Sequence, residues 1–511
     1  MIKNLFLSLI LLASCTAFGQ LTTAQIDELV ARTLKTFDVP GIAVAIVKDG
    51  QVIHSKGYGI RSIVSKEPVN ENTLFGIASN SKAFTTAALA MLVDEGKINW
   101  DDKVIKYIPS FKMYNDYVTN EFTIRDLLTH RSGLGLGAGD LMIWPDGHNF
   151  TTKDIISNLQ YLKPVSAFRT KYDYDNLLYI VAGEVIAQVS GQSWGDFIEQ
   201  RIMKPLAMNQ SAASFNRLRD TTNIISPHVP TDGKLKAITR YKNPILDAAG
   251  GIYSSVNDMS KWVIMQLQKG KYDNGKILFS EKQQAEMWSA QTIMPNKPVA
   301  PYFSHFKSYG LGWQLSEVKG NFQVSHTGGL DGIVTQVTLL PELNLGIIVF
   351  TNQQNGAAFN AITNTIKDSY LNLKSDDYVT LYSSQRKEKE NSADKITDEV
   401  WSTVTKNKML KIFIDVKKYV GTYKDNWLGE IVLSERKGKM YFHSTRSTQL
   451  SGEIFFYKDQ TFAVKWNNRS LLADAFLTFS EDATKIKMKP ISPLTDFSYD
   501  FQDLDFSKMQ P

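Results

Sequence analysis

The chain has 511 residues, 43% of them apolar and 21% charged, with a formal net charge of +5. That length exceeds one compact core and predicts two or three units, in a chain with the composition of a soluble globular protein. Spread without a concentrated Lys/Arg block, the charge gives no argument for a nucleic-acid partner and only a weak one for an anionic surface.

The opening "MIKNLFLSLILLASCTAFGQ" joins a basic start, an apolar stretch from Leu5 to Ala13 and small residues, the pattern of a secretory signal. The stretch is too short to span a bilayer. Cleavage is expected after Gly19, so that residues 1–19 form the signal. The competing site precedes Cys15, where Leu12-Ala13-Ser14-Cys15 resembles a bacterial lipoprotein signal and implies a lipid anchor. Either way the protein is expected to be exported, to the periplasm or beyond. Cys15 is the only cysteine, so no intrachain disulfide, thiolate zinc cluster or cysteine nucleophile is available to the mature chain. Covalent chemistry falls to Ser, Thr, Lys, Tyr or a carboxylate.

Next come an amphipathic helix in "TTAQIDELVARTLKTF" and a hairpin in "GIAVAIVKDGQVIHSKGYGI", where Asp49-Gly50 supplies the turn. Helical patterns run from about Ala83 to Leu267. Strand patterns return in "FQVSHTGG", "IVTQVTLLP" and "LGIIVFTN", and a helix in "AAFNAITNTIKDSYLNL" closes the unit. Strands at both ends with helices between them predict an α+β fold, one antiparallel sheet assembled from the two ends and flanked by helices. Residues 374–411 are charged and polar, a linker or solvated helix. Residues 412–511 carry consecutive hairpin patterns and predict a small antiparallel β-barrel or sandwich. The charged segment predicts a separable C-terminal unit, with a chain ending near Leu373 still able to fold.

A serine three residues before a lysine puts both side chains on one helix face, where the amine can take the hydroxyl proton. The pattern occurs at Ser79, Ser304, Ser316, Ser384, Ser392 and Ser434. Only Ser79 opens an apolar helix, in "FGIASNSKAFTTAALAMLV". That position would combine a buried Lys82 with backbone N–H groups and a helix dipole that favour developing negative charge. The competing reading is a helix N-cap followed by a solvated lysine.

The surroundings decide for the nucleophile. From about Ile26 to Leu373 the chain resembles the serine beta-lactamase and penicillin-binding-protein superfamily, in particular its esterase and D-aminopeptidase branch. The resemblance rests on "FGIASNSKAFTTAALAMLVDEGKINWDDKVIKYIP", "TIRDLLTHRSGL", "YDYDNLLYIVAGEVIAQVSG", "AAGGIYSSVNDMSKW", "YGLGW" and "HTGG", all in the family's order. It implies a beta-lactamase/transpeptidase-like fold with a helical subdomain over residues 20–373. The family's Tyr-x-Asn falls on Tyr174-Asp175-Asn176, chosen over Tyr241, Tyr272 and Tyr370 by the amphipathic "LLYIVAGEVIAQV" that follows. Its strand motif falls on His326-Thr327-Gly328-Gly329, whose glycines let substrate approach the strand.

The resemblance implies that Ser79 attacks an acyl carbonyl, Lys82 and Tyr174 share the proton traffic, and water hydrolyses the acyl-enzyme. Ser79 and Gly329 would supply the oxyanion N–H groups, and Asn176, His326, Gly328 and Gly329 would meet the substrate, Asn176 holding its acyl-side amide and also orienting Lys82. Whether Lys82 or Tyr174 is the base stays open, since an unperturbed lysine near ~10.4 is a poor base at neutral pH. His130 in "LLTHRSGL" is expected to pack and hydrogen-bond rather than catalyse, because no Gly-x-Ser-x-Gly elbow accompanies it. A neutral His326 where relatives carry lysine gives weak recognition of a substrate carboxylate. An esterase, amidase or D-amino-acid peptidase acting on a small molecule or peptide is therefore expected, ahead of a beta-lactamase or D,D-carboxypeptidase. The alternative of another class is a non-catalytic cell-wall peptide binder. Neither cofactor nor metal is expected, and the C-terminal segment resembles the lipocalin-like domain that accompanies some exported hydrolases.

Overall fold

A computed structural model describes residues 19–412 and 414–510, so Cys15 and the signal segment up to residue 18 lie outside the described residues. The chain forms an eight-stranded antiparallel sheet with helices, followed by a long helix and a closed eight-stranded barrel. The strand order is Gln51–Gly59, Gly41–Lys48, Leu345–Thr351, Ile333–Leu340, Asn321–Leu330, Gln314–Val318, Lys307–Tyr309 and Thr292–Met294. The two chain ends meet inside this sheet, where Val44 lies opposite Val349.

The strands Gly41–Lys48 and Leu345–Thr351 are near-continuously apolar and buried because helices cover both faces there. Ile42, Val44 and Ile46 face the helices Thr23–Phe37 and Gly356–Tyr370, while Ala43, Ala45 and Val47 join the larger core on the other side. The hairpin at Asp49-Gly50 has positive φ at both residues, 51° and 76°, the backbone that a tight two-residue turn requires. The helix Ser81–Asp94 is buried at every position from Ser81 to Leu92. Its mostly apolar sequence thus reflects a place in the centre of the N-terminal unit rather than at its surface.

The charged segment is one continuous helix, Tyr378–Met409. Tyr378 and Val379 pack on the N-terminal and Gly356–Tyr370 helices, and Val400 and Val404 pack on Ala463 and Ile491 of the C-terminal unit. The barrel strands are Gly421–Asp425, Gly429–Arg436, Lys439–Ser444, Ser451–Lys458, Thr461–Trp466, Ala475–Phe479, Lys485–Pro490 and Phe506–Lys508. Tyr423, Phe442, Phe462, Trp466 and Phe479 are all buried, filling the barrel interior as expected for eight strands.

The expectation of a separable C-terminal unit meets a different arrangement. Trp427, Leu428 and Leu504 of the barrel belong to the same continuous apolar cluster as Leu141, Met142 and Leu162 of the N-terminal unit. Arg446 reinforces the junction, bonding Asn149 Oδ1 at 2.7 Å and Asp154 Oδ2 at 3.1 Å, with its guanidinium 3.9 Å from the Phe150 ring centre. Removing the barrel would expose that apolar surface to water. No helix among the described residues is long and apolar enough to cross a membrane.

Candidate active site

The turn that carries Ser79 is built under strain. Ala78 has φ of 49°, in the left-handed region, at a cost of about 1 to 2 kcal/mol for a residue with a Cβ. Hydrogen bonds on both sides hold the turn: Ile77 N–H donates to the Ile252 carbonyl at 2.8 Å, and Thr335 Oγ1 donates to the Ile77 carbonyl at 2.8 Å. Asn80 Nδ2 bonds Thr335 Oγ1 at 2.9 Å. Ser79 follows Ala78 and opens onto a cavity of about 450 Å³.

Lys82 is fully buried one turn along the helix. Its Nζ lies 3.1 Å from Ser79 Oγ, 2.7 Å from Asn176 Oδ1 and 2.9 Å from the Ala249 carbonyl. Two of these partners are carbonyl oxygens, which only accept. A neutral amine therefore spends both hydrogens on them and turns its lone pair to the Ser79 hydroxyl. Burial pushes the Lys82 proton affinity down from 10.5 to about 7, against the opposing pull of Asp140 and Asp175. The ring centres of Tyr174 and Tyr179 lie 4.8 and 5.1 Å from Nζ.

Tyr174 stands on the opposite wall. Burial pushes its phenol well above 10, with the neighbouring Ser79 hydroxyl opposing the shift, so it is a neutral proton donor at ordinary pH. Asn176 precedes the helix Leu177–Ser190 and is engaged at both ends of its amide. Its Oδ1 accepts from Lys82, and its Nδ2 donates to Asp140 Oδ2 at 2.8 Å. Asn176 lines the cavity, and its hydrogen bonds go to the protein.

His326 also lines the cavity, only 1% exposed. Its Nδ1 lies 2.6 Å from the Thr327 carbonyl, which only accepts, so Nδ1 carries the hydrogen. Nε2 then accepts from the Tyr309 hydroxyl at 2.8 Å. Burial pushes its proton affinity down to about 3, so the ring is neutral and keeps no free N–H for a carboxylate. Gly328 and Gly329 differ sharply. A Cβ at Gly328 would lie 2.2 Å from the Ile77 carbonyl and 2.5 Å from Thr335 Oγ1, whereas one at Gly329 would meet nothing within 4 Å. Gly328 is thus where the strand meets the nucleophile turn, and Gly329 faces open space beside Ser79.

His130 is buried, with Nδ1 accepting the Asp175 N–H at 3.1 Å. The Tyr174 and Tyr309 ring centres lie 4.2 and 4.5 Å from its own. Of the serines that precede a lysine by three, Ser79 alone lines the cavity. The decoy Tyr241 bonds the Ile143 carbonyl at 2.9 Å instead. Sequence reasoning missed Asp140, Thr335 and the Ala249 carbonyl. It also missed Phe497 and Ser498 from the C-terminal unit, which line the cavity. Only "AAGG" carried a signal for one of them, and it came as part of a longer motif without a role. Among the described residues no cluster of His, Cys, Asp or Glu is arranged to hold a metal ion.

Comparison with known proteins agrees with this geometry. The beta-lactamase family model matches residues 26–371, and one described as a domain of unknown function (DUF3471) matches residues 414–508. An unguisins hydrolase from Aspergillus campestris is 30% identical over 337 residues, covering 64% of this chain and 60% of the relative. Protein flp from Staphylococcus aureus is 29% identical over 332 residues, covering 64% of this chain and 62% of that protein. The chain thus spans about 60% of the length of the curated relatives it matches. In three dimensions it is similar to the octameric penicillin-binding protein homologue from Pyrococcus abyssi. The TM-score is 0.62 at 20% identity, covering 96% of this chain and all of that one, a likeness of fold. With the family model spanning more than half of its residues, and with a Ser-x-x-Lys helix, a Tyr-x-Asn turn and a His-x-Gly strand converging on one cavity, the chain belongs to the beta-lactamase family.

Proposed function

We propose that the protein is an exported serine hydrolase that cleaves ester or amide bonds, including those of D-amino-acid peptides, through an acyl-enzyme on Ser79. The observation that carries this reading is the buried Lys82, its proton affinity lowered to about 7, facing Ser79 Oγ at 3.1 Å. Neutral Lys82 takes the hydroxyl proton as Oγ attacks the acyl carbon, and the carbonyl electrons move onto oxygen. Backbone N–H groups of Ser79 and Gly329 receive that oxyanion, a contribution of about 10² to 10³ in rate for each donor. Collapse expels the leaving group, which takes the hydroxyl proton from Lys82, either directly or through Tyr174, which Lys82 then reprotonates. Water attacks the acyl-serine, giving a proton to Lys82, and Lys82 returns it to Ser79 Oγ as the acid product leaves. The atoms balance without a cofactor.

Among the described residues neither lysine nor arginine lines the cavity, whereas Asp331 and Asp496 do, both with carboxyls raised by burial. This supports neutral or amine-bearing substrates over a penicillin, whose carboxylate would meet a neutral His326. The relatives named as unguisins hydrolases support hydrolysis as the reaction class. In this reading residues 20–373 are the hydrolase unit and the C-terminal unit completes one wall of its cleft. The test is intact mass after incubation with a fluorophosphonate. One adduct on Ser79, absent from Ser79→Ala, is expected together with p-nitrophenyl ester turnover. Folded wild-type protein that takes no label overturns the reading.

A further inference from the structure

Residues 491–505 leave the barrel between the strands Lys485–Pro490 and Phe506–Lys508 and lie against the hydrolase unit. The Phe497 ring meets that of Tyr174 edge-on, centres 5.8 Å apart. Ser498 Oγ donates to Asp140 Oδ2 at 2.8 Å. The Asp500 carboxylate accepts the N–H of Gly139 at 2.6 Å and of Leu141 at 3.0 Å, the residues on either side of Asp140. Ser498, Asp500 and Asp140 are all buried.

Asp140 Oδ2 is the same oxygen that accepts from Asn176 Nδ2. A continuous hydrogen-bonded chain therefore runs from Ser498 through Asp140, Asn176 and Lys82 to Ser79. The direction of the central link matters. An amide has one donating and one accepting end, and Asp140 Oδ2, an acceptor here, fixes the NH2 end of Asn176 towards itself. Only then does the oxygen face Lys82. A flipped amide would turn two hydrogens at Nζ and pull the lone pair off Ser79.

We propose that Ser498 and Asp500 are positioning residues for hydrolysis at Ser79: the C-terminal unit holds Asp140 in place, and Asp140 sets the Asn176 amide against Lys82. The barrel is then part of the catalytic apparatus, acting through a segment 358 residues away in sequence from the side chain it holds. The inference rests on Ser79 as the nucleophile.

The groups that act on Lys82 are Asp140 and Asp175, which favour its charge, the neutral rings of His130 and His326, and the phenols of Tyr174 and Tyr179. Asp140 is faced by Asp175, Asp500 and Lys82 and by the hydroxyl of Ser498. Burial holds the Asp140 carboxyl well above the usual carboxylate range, and the Asn176 and Ser498 hydrogen bonds oppose that shift in favour of the carboxylate. Losing the Ser498 bond removes negative charge from beside Lys82, which then sheds its proton at lower pH.

The experiment uses the full chain and the variants Ser498→Ala, Ser498→Thr and Asp500→Asn, with the pH profile of ester hydrolysis and the rate of fluorophosphonate labelling as readouts. For Ser498→Ala, kcat should fall by about tenfold to a hundredfold with KM changed by less than about twofold, and the acidic limb of kcat/KM should move to lower pH. Ser498→Thr retains the hydroxyl and should recover most of the rate. Asp500→Asn cannot accept both N–H groups and should lower kcat in the same way, so it carries the test if Ser498→Ala does not fold. Folded variants with wild-type kcat and an unmoved acidic limb overturn the proposal, as does a threonine variant no better than alanine. If wild-type protein takes no label at Ser79, the hydrolase reading itself has failed, a distinct outcome.

Discussion

Lys82 makes its shorter hydrogen bond to Asn176, at 2.7 Å, and its longer one to Ser79, at 3.1 Å. The amine is anchored by Asn176 and the Ala249 carbonyl and reaches the Ser79 hydroxyl with what remains, which is the lone pair when it is neutral. Its lowered affinity makes that neutral form accessible near pH 7. For a neutral ester kcat/KM should rise with pH through about 7, as Lys82 loses its proton. Lys82→Arg, charged at all ordinary pH, should abolish turnover. A pH profile flat from about pH 5 to pH 9 would place the base elsewhere.

Asp175 is buried, with Oδ2 left without a hydrogen-bond partner. Burial raises its carboxyl from 3.8 to about 7. The folded state therefore binds this proton more tightly than the unfolded one. The resulting stability is complete below 3.8 and is lost as pH rises to about 7. Asp175→Asn removes that loss. Its thermal midpoint relative to wild type should climb between about pH 4 and 7 and level off above. A difference independent of pH would show that Asp175 does not titrate in this window.

The strand glycines should separate fold from substrate. Gly328→Ala forces a Cβ to within 2.2 Å of the Ile77 carbonyl, so the nucleophile turn must shift. That should cost about 10² in kcat, the scale of a misplacement near 1 Å. Gly329→Ala meets no neighbouring atom, so the thermal midpoint should stay put while KM for bulky acyl groups rises. Equal effects of the two substitutions on Ser79 labelling and on melting would contradict this division.

Calorimetry should record one unfolding transition for the mature chain, because a single apolar cluster spans both units. Arg446→Ala removes the bonds to Asn149 and Asp154 and the contact with Phe150. It should lower unfolding free energy by about 1 to 2 kcal/mol without splitting the transition. Two transitions in the wild-type chain would restore the separable unit expected from the charged segment.

The sequence by itself determined the local chemistry: a Ser-x-x-Lys at the head of an apolar helix, a Tyr-x-Asn before another, and a His-Thr-Gly-Gly strand. These motifs are short because each is set by one helix turn or one strand, where spacing alone places the side chains. The α+β architecture with a following all-β barrel was legible for the same reason, since hydrophobic period and turn residues act over a few positions. What only the tertiary structure decided are relations between distant residues. The orientation of Asn176 depends on Asp140, which depends on Ser498 and Asp500. The neutrality of His326 depends on burial and on the charge of Lys82 nearby. The proton affinity of Lys82 depends on the water excluded around it. Hydrogen-bond partners and desolvation are properties of a packed interior, and no period along the chain records which segments will meet there.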